Sequence, residues 1–211
     1  MRKFLGYSRA LCLSPHPDDV EYSMGGAIRK YSDTFFDIAC LSQGGDRDQT
    51  SDLERVEETR NFWRRIGCRN VAVHFLGVKH VKDLSEDLWI NLLERELLNR
   101  GNHQAIFSPS QTDSHFEHRM VNRLAPPLSR LEKISLVEYC SPSTLENWIP
   151  NLFVDIGLEF DSKLGALSAF ETQKSRKYFT EETIRNFNTN FRCSKRGLVH
   201  VEQFRIVQIF E

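Results

Sequence analysis

Apolar residues fall along this chain in short runs, separated by longer stretches in which they recur with helical period. Six runs have strand length: Ala10 to Leu13, Phe35 to Leu41, Val71 to Leu76, Ala105 to Ser108, Ile134 to Tyr139 and Leu152 to Ile156. The intervening stretches 20–31, 51–66, 84–98, 120–131 and 162–173 read as helices. In 51–66 the face is Leu53, Val56, Phe62, Trp63 and Ile66, with Gly67 as a stop. The tail 197–210 alternates enough to form a closing strand. Strands spaced by helices predict a Rossmann-like α/β fold, a three-layer αβα sandwich with a mainly parallel sheet. In such sheets ligands lie at the carboxyl ends of the strands. One local feature breaks the helical pattern: Gly25-Gly26 costs about 1 kcal/mol per glycine relative to alanine. The pair therefore marks a place where another backbone or a substrate comes close.

Polar chemistry collects at two predicted strand ends. The first apolar run leads into Ser14-Pro15-His16-Pro17-Asp18-Asp19, and the fourth into Pro109 to His118, which carries Asp113, His115, Glu117 and His118. A third polar loop, Ser42 to Thr50, is too long for a tight turn and is expected to meet a ligand. The 211 residues suit one domain over 1–211, with no repeats and no linker. Lys+Arg at 28 against Asp+Glu at 29 leaves a formal charge of -1, so no global field draws nucleic acid or an anionic membrane. No apolar run approaches the ~18 residues of a membrane span. The five cysteines, an odd number without a CxxC pair, read as reduced thiols, and a soluble cytoplasmic protein is expected.

Two adjacent carboxylates repel each other, and burying them beside a histidine calls for a cation. His16, Asp19 and His118 form a set of two imidazoles and one carboxylate that leaves positions for water or substrate, as catalytic zinc requires. The same set suits ferrous iron, so ligand types leave Fe2+ or another divalent ion, and an oxygenase, open. Asp18 stands beside the set, placed to take a proton from water, and His115 precedes His118 by three residues. Base, metal and acid together describe a hydrolase.

At these residues the sequence resembles the PIG-L/LmbE-like family of zinc-dependent N-acetylglucosaminyl deacetylases. Pro15-His16-Pro17-Asp18-Asp19-Val20-Glu21, followed by Gly25-Gly26, matches the family's N-terminal signature. Further matches follow in order: Arg55-Val56-Glu57-Glu58 with Ile66-Gly67, Asp113 to His118, Lys163 to Gln173, and Arg196-Gly197 with Glu202-Gln203-Phe204. The resemblance implies His16, Asp19 and His118 as zinc ligands and Asp18 as general base. It implies His115 as the group that stabilises the oxyanion and protonates the leaving amine, and Arg55 as a substrate-side arginine. The chain departs from the pattern at Glu117, where aspartate is usual and where an orienting hydrogen bond to His115 is expected, and at Phe116. The implied reaction removes an N-acetyl group from a small amino-sugar compound, giving acetate and a free amine. Assembly into a homo-oligomer is left open. A catalytically silent sugar- or metal-binding relative is the rival from another class, but it would be expected to have lost the base or the acid. His74, His80, His103 and His200 have no partner pattern and are assigned nothing. Of the aromatic residues, Phe62, Trp63, Trp89 and Phe170 read as core, with Trp148 the one candidate sugar platform.

Overall fold

Seven strands form one sheet in the order β3-β2-β1-β4-β5-β7-β6 in a computed structural model that describes residues 2–44, 52–130, 133–197 and 199–210. The strands are β1 (Arg9–Ser14), β2 (Phe35–Ser42), β3 (Val71–Val78), β4 (Ala105–Pro109), β5 (Ser135–Tyr139), β6 (Leu152–Asp155) and β7 (Val201–Gln208). The first five run parallel, with Cys12 opposite both Ile38 and Phe107. β7 inserts between β5 and β6 and is antiparallel to both. The predicted α/β architecture is therefore present, and the tail is its closing strand.

Side chains alternate across each strand, so β1 sends Cys12 to one face and Leu11 and Leu13 to the other. On the Cys12 face, α1 (Asp19–Lys30), α2 (Asp52–Ile66) and α6 (Phe160–Leu167) enclose Phe36, Ile38, Phe107 and Phe204. On the other face lie α3 (Glu86–Leu93) and α5 (Phe116–Ser129), which pack Trp89, Leu93, Val121 and Leu124 onto Leu11, Leu13 and Ile106. α3 continues through a π turn, Glu94–Leu98, into the short α4 (Asn99–Gly101). Short helices α7 (Glu181–Phe187) and α8 (Phe191–Ser194) precede β7. Among the described residues, no helix is long and apolar enough to cross a membrane.

Three expectations need correction. Leu53 is 80% exposed, and the buried side of α2 is Arg55, Val56, Glu58, Thr59, Phe62, Trp63 and Ile66. The face is thus partly polar, because its first turn serves a site rather than the core. The helix expected over 162–173 stops at Leu167, since Phe170 leaves helical geometry (φ -83, ψ 68) to bury its ring, and only a 3-10 turn follows at Glu171–Gln173. α5 starts at Phe116, one turn before its apolar period begins, because its first turn carries Glu117 and His118. Ser51 and Leu131, the expected ends of two helices, lie outside the described residues.

The glycine pair meets the protein's own interior. α1 departs from helical geometry at Met24 (φ -140), and the amides of Gly26 and Ala27 donate to Glu202 at 2.9 and 2.6 Å. Lys163 donates to the same carboxylate at 2.7 Å and to Asn188 at 2.9 Å, and both charges are fully enclosed. A Cβ on Gly25 would sit 2.8 Å from the ring of Phe62. The close approach is real, but it comes from α2 and β7 and not from a substrate.

Candidate active site

The loop after β1 is fixed before any side chain is considered. Pro15 O accepts from the amide of Ser42 at 3.1 Å and from its hydroxyl at 2.8 Å, and Ser14 Oγ donates to His16 O at 2.7 Å. Asp18, capping α1, has φ +136, a conformation that costs a non-glycine residue about 1–3 kcal/mol and clusters at functional sites. Asp19 opens the helix and accepts the His16 amide at 2.9 Å. The second loop, between β4 and α5, is organised by Asp113. That buried carboxylate accepts the His115 amide at 2.7 Å, Ser143 Oγ at 2.6 Å and the hydroxyl of Ser141, and its Oδ2 lies 2.9 Å from His118 Nδ1.

The two loops meet at the carboxyl ends of β1 and β4. His118 Nε2 lies 3.2 Å from Asp19 Oδ1 and His16 Nδ1 lies 3.1 Å from Asp19 Oδ2, so one ligand atom from each falls within 4.8 Å of the others. This fits a divalent ion: two ring nitrogens and a carboxylate converge, and the opposite nitrogen of each ring is bonded to a further carboxylate. For His118 that backing group is Asp113. For His16 it is Glu117, whose Oε2 lies 2.7 Å from Nε2. The expected bond from Glu117 to His115 is not made: Oε2 serves His16, and Oε1 is buried without a partner. The glutamate is long enough to cross to the other loop.

Asp18 is also held differently from expectation. Arg55, 3% exposed, donates to its Oδ2 at 3.0 Å and to Pro17 O, so the guanidinium grips the loop while also lining the cleft. Burial pushes the Asp18 carboxyl up to about 6 even though Arg55 pulls the other way. Burial works against protonation of both rings, yet hydrogen bonds and charge from Asp19, with Glu117 for His16 and Asp113 for His118, raise His16 to about 9 and His118 to about 10. His115 is lowered by burial and by the two neighbouring imidazoles, His118 tilted at 4.6 Å and His16 edge-on at 5.0 Å between ring centroids.

These groups line a cleft of about 630 Å3. Its walls include Tyr22, Phe116, Tyr178 and Phe179, with Lys82 and Arg176 among its charged residues. Sequence reasoning gave none of these six a role in the site, noting Phe116 only as a departure from the family pattern, and gave Asp113 no role. Asp113 was findable as an acidic residue in the same loop, five positions before His118. Trp148 is no platform; it is buried and donates to Glu138 at 2.9 Å. Of the third loop, Gly44 lines the cleft, and residues 45–50 lie outside the described residues.

Known proteins are similar to this chain in sequence or in fold. The diacetylchitobiose deacetylase of Thermococcus kodakarensis is 24% identical over 192 residues, covering 81% of this chain and 72% of its own. The structure of N,N'-diacetylchitobiose deacetylase from Pyrococcus horikoshii superposes with a TM-score of 0.69 at 22% identity, over 99% of this chain and 86% of the other. GalB, the 4-carboxy-2-hydroxymuconate hydratase of Pseudomonas putida, superposes with a TM-score of 0.74 at 20% identity, over 97% and 98%. At such identities the structures show the shared fold. The family described as PIG-L, GlcNAc-PI de-N-acetylase, matches residues 11–128, from β1 through both histidine loops and most of α5, and the chain belongs to that family.

Proposed function

We propose that this chain is a zinc-dependent N-deacetylase that hydrolyses the acetamide of a small amino-sugar compound to acetate and a free amine. One observation carries the reading: His16, Asp19 and His118 converge within 4.8 Å at the base of an open cleft, flanked by Asp18 and His115. The deacetylase relatives support the amide and the sugar. Among the proteins compared above, none is an oxygenase. Five unbridged cysteines suit a reducing, cytoplasmic setting.

His16, Asp19 and His118 would hold the ion, which when bound polarises the acyl oxygen and lowers the pKa of water toward about 7. Asp18 takes the proton of the attacking water. Its carboxyl, raised by burial, is the stronger base for it, and Arg55 keeps it aimed and ionisable. His115 faces the cleft from the other loop, steadies the oxyanion and hands a proton to the departing nitrogen. Arg55 is a positioning residue for Asp18 in this scheme. Tyr178 and Phe179 offer ring faces to the apolar side of a sugar.

The test is release of amine from a panel of N-acetylated amino sugars by zinc-loaded protein, with Asp18→Asn alongside. Asparagine keeps the size but cannot take the proton, so turnover should fall at least about 100-fold with zinc content unchanged. An unchanged rate at full metal content would assign the base elsewhere.

A further inference from the structure

We infer that Glu58 is a positioning residue that ties the general base to the sugar-facing wall of the cleft; this rests on the proposed function for the roles of Asp18 and that wall. Glu58 follows Arg55 by three residues on α2 and is buried behind the cleft rather than in its lining. Its Oε1 accepts the Thr172 amide and its Oε2 the Thr172 hydroxyl, both at 2.7 Å across 114 positions of sequence. The same Oε2 lies 4.0 Å from Arg55 Nε. On the Arg55 side, Nη2 donates to Asp18 at 3.0 Å and to Pro17 O, and Nη1 donates to Gly44 O at 3.5 Å. Nε is buried and makes no hydrogen bond, and Glu58 is the charge in front of it. A buried guanidinium between two carboxylates is held from both sides, and removal of one leaves its planar fork free to turn toward the other. A misplacement of about 1 Å at a reacting group can cost about 100-fold in rate, so the aim of Asp18 depends on a side chain outside the cleft.

On the other side, Thr172 opens the stretch that walls the cleft with Gln173, Arg176, Tyr178 and Phe179. That stretch has only two 3-10 turns, Glu171–Gln173 and Lys177–Phe179, linked through Arg176 N to Gln173 O at 2.9 Å and Phe179 N to Arg176 O at 3.0 Å. So little regular structure needs outside anchors. Glu58 of α2 supplies one at Thr172, and Tyr22 of α1 supplies another by donating its hydroxyl to Tyr178 O at 2.7 Å. The Gln173 side chain, 2% exposed, adds to the first anchor by donating Nε2 to Thr172 Oγ1 at 3.0 Å. One carboxylate therefore sets the spacing between the group that takes the proton and the surface that seats the sugar. The segments 55–58 and 163–173, singled out in the sequence for separate matches, meet at this contact.

The kcat, KM and zinc content of zinc-loaded wild type are compared with those of Glu58→Gln, Thr172→Val, Arg55→Met and the double variant Arg55→Met/Glu58→Gln. The substrate is the N-acetylated sugar that wild type hydrolyses best. Glu58→Gln keeps the shape and the bond from the Thr172 amide but removes the charge facing Arg55, so kcat should fall at least about 10-fold with KM little changed. In the Arg55→Met background the same substitution should cost less than about 2-fold, because its route to Asp18 is already gone. Thr172→Val keeps the charge and loosens the wall, so KM should rise about 5-fold while kcat falls less than about 2-fold. Unchanged kcat in Glu58→Gln, an equal loss with and without Arg55, or a loss that tracks missing zinc would each overturn the inference. Hydrogen exchange scores the wall without any turnover: amides of 172–179 should exchange at least about 10-fold faster in Glu58→Ala than in wild type, and equal rates would overturn it. A wild type that frees no amine from any sugar of the panel would overturn the proposed function instead, with the exchange rates still deciding whether Glu58 holds the wall.

Discussion

The sheet carries a histidine–carboxylate cluster at each end, and only one is built to do chemistry. At the amino end, buried Asp37 of β2 accepts from Arg9 at 2.6 Å and lies 2.9 Å from both His74 and His103. Three donors close on one carboxylate, and none of these four residues lines the cleft. At the carboxyl end the ratio is inverted: Asp18, Asp19 and Glu117 join His16 and His118 in the wall of a cavity, with Asp113 buried behind His118. Burial alone would raise Asp37, but His103, His74 and Arg9 hold it well below the usual carboxylate range. Asp18 moves the opposite way, up to about 6. Identical residue types thus make a brace where donors saturate the acid, and a reactive centre where acceptors outnumber donors and face open space.

The largest expected effect breaks the reactive end. His118→Ala removes one of three converging ligands, so tight zinc and turnover should both disappear while the fold survives. Metal analysis after dialysis checks this, and a full tight equivalent retained would mean that His118 is not a ligand. Next, Asp113→Asn leaves the ligand in place but removes the charge behind it, and zinc affinity should weaken about 10- to 100-fold, the usual cost of losing such backing. A competition titration against a chelator measures it.

Smaller, and confined to the other end, is Asp37→Asn. Loss of the charge that three donors face should cost about 2 kcal/mol, less than a fully enclosed pair because Arg9 and His74 are partly solvated. Denaturant unfolding reads the cost, and zinc stoichiometry should not move. Asp37 has a folded-state pKa below its unfolded value, so its contribution is present above about pH 4 and is lost as pH falls toward the folded value. The gap between wild type and Asp37→Asn should therefore narrow below pH 4. A gap that stays constant would show that charge is not what Asp37 contributes.

Strand and helix alternation made the parallel half of this fold legible, since buried central strands such as β1 leave unbroken apolar runs. His16, Asp18, Asp19, His115 and His118 were legible because they cluster in short loops whose spacing is itself chemical. The rest depends on distance in sequence. Nothing near Glu117 says that it crosses to His16, 101 positions away, rather than to its neighbour His115. The role of Arg55 was hidden because a buried arginine on a charged helix looks like a solvated one until the loop that it grips is in view. Tyr178 and Phe179 escaped because the turn after α6 has no periodicity to announce which side faces the cleft.

The link between Glu202 and the amides of Gly26 and Ala27 also has a consequence in time. The helix that presents Asp19 has two amides whose acceptor lies 176 and 175 residues further along. A chain emerging from the ribosome can display β1, both histidine loops and α5 while that acceptor is still unmade. Until then two amides that end up buried lack their acceptor, and the Lys163 ammonium lacks its counter-charge. The helix that presents Asp19 is therefore completed by the last strand of the sheet to be synthesised.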